Sequence, residues 1–291
     1  MNIKQLNKTI NQTPILTNVN FTLPLGEIVG LIGRNGSGKT TLFRSLSGHY
    51  LLDSGDIRIQ GTSLLSHEQL KNQLFYIDEK EHFLGSYSLK KIGIFYRTAY
   101  KTFNQDLFLE LTHQHHLPLH STYKKLSKGM QGLFQMILAI CSNAPYLLLD
   151  EPFDGLDVIV RKQVIRLLLE HISTGKHCAL IASHNLVELE GLIDRALILK
   201  DTTISKEYSL DEMRAQAKKL QLVFKTKHIP EQITANAKIM QRRGRVIVAV
   251  FENYTPELAT EITALQPLLL EELPLSLEDL FEATLNQEAI Y

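Results

Sequence analysis

The 291-residue chain is 44% hydrophobic by composition, and its 31 Lys and Arg residues balance its 31 Asp and Glu residues. That balance excludes a strong overall field toward nucleic acid or an anionic membrane surface. The apolar runs fall far short of the ~20 residues of a membrane-spanning helix. The amino terminus lacks the apolar segment of a secretory signal, which predicts a protein that stays in the cytoplasm.

A strand, a glycine-rich loop and a helix are predicted in succession near the amino terminus. The apolar run GEIVGLIG at 26–33 ends in glycine, and KTTLFRSLSG at 39–48 has the apolar spacing of a helix. Further short β-rich runs, with helical patterns between several of them, lie at 73–77, 146–149, 178–182 and 196–199. This alternation predicts an α/β core built on a parallel sheet.

The pattern becomes mostly helical between about residues 85 and 140, which predicts a helical subdomain inserted in the core. Aromatic residues recur there at spacings that fit one or two amphipathic faces: Phe95, Tyr96, Tyr100, Phe103 and Phe108. We interpret most of them as packing, while some could form a docking surface for a partner.

Alternation restarts on a smaller scale after about residue 210. LQLVF and RVIVAVF are predicted strands, and Thr255 with Pro256 begins a predicted helix. Ser276 followed by Asp279 predicts the cap of a final amphipathic helix. The sequence thus predicts a large α/β domain over 1–212 and a small α+β domain over 213–291.

The loop after the first predicted strand has the composition of a phosphate cradle. GRNGSGKT at 33–40 fits GxxxxGK[ST], in which backbone N–H groups and a helix N-terminus surround phosphate oxygens. Lys39 is placed to reach the β- and γ-phosphates, Thr40 to offer a hydroxyl to Mg²⁺, and Thr41 to hold the α-phosphate. The other candidate nucleotide contacts in this loop are Gly33, Asn35, Gly36, Ser37 and Gly38.

Two acidic residues follow a predicted buried strand later in the chain. YLLLDEP at 146–152 places Asp150 and Glu151 at the carboxyl edge of the sheet, where ligands bind in open α/β folds. Asp150 suits the coordination of Mg²⁺, and Glu151 suits positioning or deprotonating an attacking water. Together with the cradle, these acids favour nucleotide hydrolysis over a solvated strand end.

Three more motifs stand in a fixed order around these acids: LSKGM at 126–130, FDGLD at 153–157 and IASHN at 181–185. In that order and spacing, the chain resembles the ATPases of the ABC family over residues 1 to about 210. The three motifs stand where that family has its signature sequence, its D-loop and its switch histidine. The resemblance implies a P-loop ABC ATPase core that uses ATP and Mg²⁺.

The resemblance also implies that two such domains close head to tail around shared ATP sites. Ser127 and Gly129 of one subunit would contact the γ-phosphate of the ATP held by the other. His184 would contact the γ-phosphate within its own subunit and help hold the attacking water. Asp157 would link the two sites across the interface.

Several residues depart from the family pattern. Ile10 stands where an aromatic residue usually stacks on adenine, so it offers apolar contact alone. Glu79, or the adjacent Asp78, stands where a glutamine is usual, and a carboxylate there can still ligate Mg²⁺ or water. Lys128 and Met130 replace the commoner glycine and glutamine, a variant that resembles bacterial exporters of antimicrobial peptides, lipids and drugs.

Two further features bear on the same comparison. Gly132 and Leu133 stand where a polar and a basic residue are usual, which predicts a less firm start of the helix that follows the signature. The small C-terminal domain, with SLEDLF near its end, also resembles the exporter subgroup.

The resulting hypothesis is an ATP-hydrolysing subunit that drives export through a separate membrane permease, docked through residues 85–125. It would bind a second ATPase subunit, identical or different, and no nucleic acid, at the inner face of the cell membrane. One alternative is a soluble ABC ATPase acting on ribosomes or DNA, which the lack of heptads and of surplus basic charge disfavours. Another is a small-molecule kinase, which would have no use for the three motifs together.

Overall fold

The computed structural model describes residues 1–78 and 84–285, which form two compact units. The first contains residues 1–184 and 195–207, and the second contains residues 185–194 and the chain from 208 onward. These units follow from packing; the predicted boundary between residues 212 and 213 stays a prediction.

Two sheets and a set of helices build the first unit. Its strands are β1 (Asn2–Ile10), β2 (Thr13–Thr22), β3 (Ile28–Ile32), β4 (Ser54–Ile59), β5 (Thr62–Ser63), β6 (Leu74–Ile77), β7 (Tyr146–Asp150), β8 (Cys178–Ala182), β9 (Arg195–Lys200) and β10 (Thr203–Ser209). Its helices are α1 (Lys39–Leu46), α2 (Leu89–Ala99), α3 (Gln105–Gln114), α4 (Lys128–Ser142) and α5 (Val158–Ile172).

The larger sheet confirms the predicted parallel core. Its order is β10-β9-β3-β8-β7-β6, and the run from β9 to β6 is parallel. Every residue of β3, β7 and β8 is buried, which is why these strands are continuous apolar runs. Leu31 and Asp150 both pair with Ala182, so the loops that follow these three strands meet at one edge.

The second sheet has the order β2-β1-β4-β5 and is antiparallel. The strands β1 and β2 are not predicted by the sequence pattern. Their pairing is irregular. Its register shifts three times along β1: between Ile3 and Leu6, between Leu6 and Lys8, and between Lys8 and Thr9. Such bulges break the simple alternation by which a half-buried strand is recognised.

Close packing holds α2 and α3 together in the helical region. A Cβ on Gly93 would lie 2.6 Å from Phe108 Cζ, so only glycine lets the two helices approach this closely. The buried ring of Phe108 lies 5.7 Å from that of Phe103 and 6.1 Å from that of Phe134. Phe95, in contrast, is exposed. The predicted aromatic set is therefore divided between core and surface.

Gly132 also has a packing role, and the expected less firm start of its helix stays a prediction. The helix α4 begins at Lys128 with Ser127 as its N-cap. A Cβ on Gly132 would lie 2.8 Å from Leu156 Cδ2. The glycine therefore allows Leu156, which precedes α5, to pack directly against α4.

The second unit is a small α+β fold, as its strand and helix patterns predict. Its helices are α6 (Leu186–Glu190), α7 (Leu210–Gln216), α8 (Glu231–Asn236), α9 (Pro256–Ala264) and α10 (Leu277–Leu285). Its strands are β11 (Lys218–Val223), β12 (Lys238–Arg243), β13 (Val246–Phe251) and β14 (Leu269–Leu273), in the antiparallel order β12-β13-β11-β14.

Both predicted caps in this unit are confirmed. Thr255 accepts a hydrogen bond from the Leu258 N–H at 3.3 Å. The Ser276 N–H donates to Asp279 Oδ2 at 2.9 Å, while the Asp279 N–H donates to Ser276 Oγ at 3.2 Å. Within residues 1–78 and 84–285, no helix has the length and apolar character to span a bilayer.

Candidate functional site

The loop between β3 and α1, residues 33–38, is called here the phosphate loop. Gly38 has a φ of 105°, a left-handed conformation that glycine adopts without strain. Gly33 leaves room for the chain itself, because a Cβ there would lie 2.5 Å from Ser37 Oγ and 2.8 Å from the carbonyl oxygen of Leu199. The loop therefore has the tight, inward-turned shape that its sequence motif requires.

Lys39 is the first residue of α1 and is 9% exposed. Its Nζ donates to the carbonyl oxygens of Gly33 at 2.8 Å and Arg34 at 3.3 Å. Burial lowers the pKa of this ammonium group, and the negative charges of Glu151 and Asp150 oppose that shift. A cation held in this way can exchange loop carbonyls for phosphate oxygens when an anion enters.

The two predicted acids lie at the end of β7. Asp150 is the last residue of the strand and is 2% exposed. Glu151 follows with a φ of 50°, which costs a non-glycine residue about 1–3 kcal/mol. Its N–H donates to the Ala182 carbonyl at 3.0 Å, so the neighbouring strand holds this strained residue in place. Strain of this kind gathers at functional sites.

His184 orients the carboxylate of Glu151. Its Nδ1 lies 2.9 Å from Glu151 Oε2, and its backbone N–H donates to the same oxygen at 3.2 Å. The histidine is exposed while the carboxylate is largely buried. The sequence placed both residues near phosphate but did not predict this contact, which depends on the register of β7 and β8.

A cavity of about 570 Å³ opens beside the phosphate loop. The phosphate-loop cavity, as we call it, is lined by Ile15, Asn35, Gly36, Gly38, Lys39, Thr40, Thr41, Asp150, Glu151, Asp154 and His184. Half of the predicted nucleotide contacts and all three predicted catalytic residues thus face one space. Gly33 and Ser37 belong to the frame of the loop behind it. The individual roles stay predictions.

The oxygen donors of this cavity fit Mg²⁺. Thr40 offers a hydroxyl and Asp150 a carboxylate, and Mg²⁺ prefers such oxygen ligands. Among the described residues, no group of three or more His, Cys, Asp or Glu side chains could hold an ion by itself. Glu79, the third predicted ligand, lies outside the described residues.

Asp78, the alternative to Glu79, is engaged elsewhere. Its Oδ2 accepts from Arg44 Nη2 at 2.9 Å, from Arg44 Nε at 3.2 Å and from the Tyr76 hydroxyl at 3.0 Å. It lines a neighbouring cavity with Tyr96 and Tyr100 and does not line the phosphate-loop cavity. This carboxylate therefore belongs to a different surface.

Two lining residues, Ile15 and Asp154, were not predicted from the sequence. Ile10, the predicted base contact, ends β1 and does not line the phosphate-loop cavity, whereas Ile15 on β2 does. Ile15 Cγ2 lies 3.0 Å from the position of a Cβ on Gly38, so it closes the cavity from the second sheet. Finding it required the unpredicted pairing of β1 with β2. Asp154 could have been found as an acid three residues after Glu151.

The signature segment, residues 126–130, lies at the start of α4. Ser127 accepts from the Met130 N–H at 3.3 Å, and Asp157 caps α5 by accepting from two backbone N–H groups at 2.9 and 3.0 Å. A Cβ on Gly129 would lie 3.7 Å from Asp157 Oδ2, so the two predicted interface elements are neighbours. None of these residues lines the phosphate-loop cavity of their own chain.

Comparisons with known proteins agree with this geometry. A family profile described as "ABC transporter" matches residues 16–154. The ABC transporter ATP-binding protein YtrB of Bacillus subtilis is 30% identical over 284 residues, which cover 97% of this chain and 96% of that protein.

Two further similarities bear on fold and direction. A solved structure described as an ATP-binding subunit of an ABC transporter is 26% identical, covers 74% of this chain and 91% of its own, and has a TM-score of 0.67. The aliphatic sulfonates import ATP-binding protein SsuB of Corynebacterium glutamicum is 28% identical, over 72% of this chain and 84% of that protein. Relatives of this chain therefore include at least one protein named for import.

Proposed function

The chain belongs to the family of ABC transporter ATP-binding proteins, and from that premise we propose that it powers export through a separate membrane permease. It is an ABC ATPase, which binds ATP with Mg²⁺ and acts as a dimer with a permease.

The observation that supports hydrolysis best is the contact of Glu151 with His184 at the mouth of the phosphate-loop cavity. The phosphate loop and Lys39 would hold the triphosphate by backbone N–H groups and one cation. Thr40 and Asp150 would hold Mg²⁺, which would supply the positive charge that neutralises the phosphates. Glu151 would orient the attacking water and accept its proton, while His184 fixes the carboxylate and contacts the γ-phosphate.

The shared site is the second part of the proposal. Ser127 and Gly129 lie outside the phosphate-loop cavity of their own chain, so a partner's nucleotide can reach them. Closure of two subunits would place that nucleotide between the phosphate loop of one and the signature segment of the other. The two subunits can be identical or different chains.

Export is supported by two features of the sequence. The signature carries Lys128 and Met130, and an α+β unit follows the ATPase core, as in the exporter subgroup that the chain resembles. We place the protein in the cytoplasm, at the inner face of the cell membrane, where a permease would hold it. The domain boundary that fits this role lies between residues 212 and 213.

An aromatic groove is the surface we assign to the permease. This cavity of about 670 Å³ lies in the first unit and is lined by Arg44, Phe75, Asp78, Phe95, Tyr96 and Tyr100, among others. Tyr96 and Tyr100 stack with their ring centroids 6.1 Å apart, and Phe95 is 43% exposed beside them. A short helical segment with one apolar anchor would fit such a groove.

Transport direction is tested in inside-out membrane vesicles that contain this chain and its permease. With ATP outside, an exporter accumulates a fluorescently labelled cationic antimicrobial peptide in the lumen. Vesicles carrying Glu151→Gln should accumulate none, because hydrolysis is blocked. ATP-driven loss of probe from preloaded vesicles would contradict export.

The groove is tested by co-purification of the permease with two matched variants. Phe95→Ser removes an apolar side chain from the groove, and we expect the permease to be lost while nucleotide binding persists. Leu109→Ser removes a similarly exposed apolar side chain from α3, outside the groove, and should retain the permease. Equal retention by both variants would contradict the assignment.

A further inference from the structure

An ion pair joins the signature segment to the loop that follows the catalytic acids. Lys128 Nζ donates to Asp154 Oδ2 at 2.6 Å. The lysine stem lies across Gly155, because a Cβ there would be 2.5 Å from Lys128 Nζ. Gly155 also has a φ of 66°, so a side chain at this position is disfavoured by both space and conformation.

Asp154 contacts both the nucleotide site of its own chain and the signature segment. It lines the phosphate-loop cavity of its own chain, and its N–H donates to the Glu151 carbonyl at 3.2 Å. Lys128 lies between Ser127 and Gly129, the two residues assigned to the partner's nucleotide. The ion pair therefore connects the nucleotide site of one chain with the segment that serves the opposite site.

We propose that Lys128 is an additional contact to the γ-phosphate of the ATP held by the opposite subunit, and that Asp154 holds it back until that phosphate arrives. The inference rests on the proposed shared site. Lys128 is thus a binding residue that glycine at the same position could not replace, and Asp154 is a positioning residue that acts through it.

The pair has the properties of a contact that can be exchanged. The Lys128 side chain is 63% exposed and that of Asp154 is 37% exposed, and exposed ion pairs contribute little to stability. A terminal phosphate has more charge and more acceptor oxygens than a carboxylate, so it competes well for an ammonium group. Closure of the dimer would desolvate the new contact and strengthen it.

The consequence is a pair of variants with opposite effects on ATP-driven dimerisation. Removing the lysine removes the phosphate contact, whereas removing the charge of Asp154 releases the lysine to make it. An ion pair that only stabilises the loop would give the same sign for both, because each variant breaks the same bond.

The test is a double-mutant cycle in full-length Glu151→Gln protein, read as the dimer dissociation constant by sedimentation with saturating ATP and Mg²⁺. We expect Lys128→Met to weaken the dimer about tenfold and Asp154→Asn to strengthen it severalfold. The double variant should match Lys128→Met, because Asp154 then has nothing to release. Lys125→Met, which removes a nearby exposed lysine, is the matched control and should leave the dimer unchanged.

Asp154 also lines the nucleotide cavity, so ATP affinity is measured in parallel at concentrations where every variant is monomeric. An effect of Asp154→Asn that persists in the Lys128→Met background would be due to that cavity and would overturn the inference. Loss of the dimer in both single variants would overturn it as well. A Glu151→Gln parent that stays monomeric contradicts pairing of identical chains instead, and the same cycle is then read on pairing with the second ATPase chain.

Discussion

The phosphate-loop cavity and the signature segment differ in how completely a single chain builds them. In the cavity, Lys39 and Asp150 are almost fully buried and the strained Glu151 is fixed by contacts to the next strand. In the signature segment, Ser127 and Lys128 are exposed. Ser127 caps its own helix, and Lys128 pairs with Asp154 in the loop before α5.

This difference shows which part of the nucleotide site the fold of one chain has to hold in place. Burying a cation and a carboxylate side by side is costly unless each is paired or hydrogen-bonded, so the fold of one chain has to supply that frame. An exposed helix start needs no such frame before its ligand arrives. The phosphate-loop cavity is therefore complete within one chain, whereas the signature segment, in the proposed shared site, would acquire its ligand only from a second subunit.

The largest effect should follow from a substitution in the phosphate-loop cavity. Lys39→Ala removes the cation aimed at the β- and γ-phosphates, and hydrolysis should fall by at least about 100-fold with weaker nucleotide binding. Phosphate release and the binding of a fluorescent ATP analogue measure the two effects. Lys125→Ala serves as the control for loss of a lysine. Turnover of Lys39→Ala within about tenfold of the parent chain would contradict the assignment.

A second prediction concerns two histidines between α5 and β8. The ring of His171, at the end of α5, stacks on the ring of His177, with their centroids 3.7 Å apart. Burial, with a smaller contribution from His177, lowers the pKa of His171 from 6.5 to about 4. The unfolded chain then binds more protons between these values, so stability should fall as pH falls from 6.5 toward 4. The loss due to His171 should reach about 2 kcal/mol at pH 5.

Urea unfolding at a series of pH values measures this loss. His171→Phe keeps a stacked ring but does not titrate, so its stability should depend less on pH in the same window. Parallel pH profiles for the variant and the parent would show that other groups cause the acid sensitivity.

A smaller effect is expected in the helical region that carries the signature segment. Gly93→Ala would force a Cβ against the buried Phe108 ring, at a cost of about 1–3 kcal/mol. The higher helix propensity of alanine offsets about 1 kcal/mol of this. Gly191→Ala is the control, because its nearest atom, the Glu188 carbonyl oxygen, lies 3.9 Å away.

Chemical unfolding and nucleotide binding together sharpen the comparison. Gly93→Ala should lower stability while the affinity of the monomer for ATP stays unchanged, because no residue of α2 lines the phosphate-loop cavity. A matching loss of ATP affinity would mean that the phosphate-loop cavity and the helical region are not independent.

The smallest effect should appear in the choice of base. No Phe, Tyr or Trp from the described residues lines the phosphate-loop cavity. Ile15, which does line it, would offer the base an apolar contact that does not distinguish adenine from guanine. The preference for ATP over GTP should therefore stay below a hundredfold, or ~2.7 kcal/mol. Ile15→Ala should weaken both nucleotides equally in a competition assay. A larger preference would show that an aromatic ring elsewhere in the chain stacks on the base.

The phosphate-loop cavity could largely be predicted from sequence, because short sequence patterns specify the loop and strand ends that build it. Glycines in a strand–loop–helix context specify the phosphate loop, and a buried strand that ends in Asp150 specifies where the acids emerge. The contact of His184 with Glu151 was not predicted, since it depends on the register of two strands distant in sequence. Ile15 was missed because the bulged pairing of β1 with β2 hides the strand pattern.

The role of the signature segment was predicted only through family resemblance. The residues of LSKGM do not by themselves distinguish a helix start that binds phosphate from any other capped helix start. The ion pair of Lys128 with Asp154 was also beyond the sequence, because it depends on how α4 packs beside the loop before α5. The packing role of Gly132 was not predicted for the same reason, because the room it leaves for Leu156 depends on how α4 meets the loop before α5.

The central claim is that two chains share each nucleotide, and light scattering of Glu151→Gln tests it most directly. Glutamine keeps the shape of the side chain but cannot accept the proton of water, so bound ATP should persist and hold the dimer closed. We expect a dimer with ATP and Mg²⁺, a monomer without nucleotide, and a monomer again when Ser127→Arg is added, although that double variant still binds ATP. A dimer that survives Ser127→Arg would contradict the shared site.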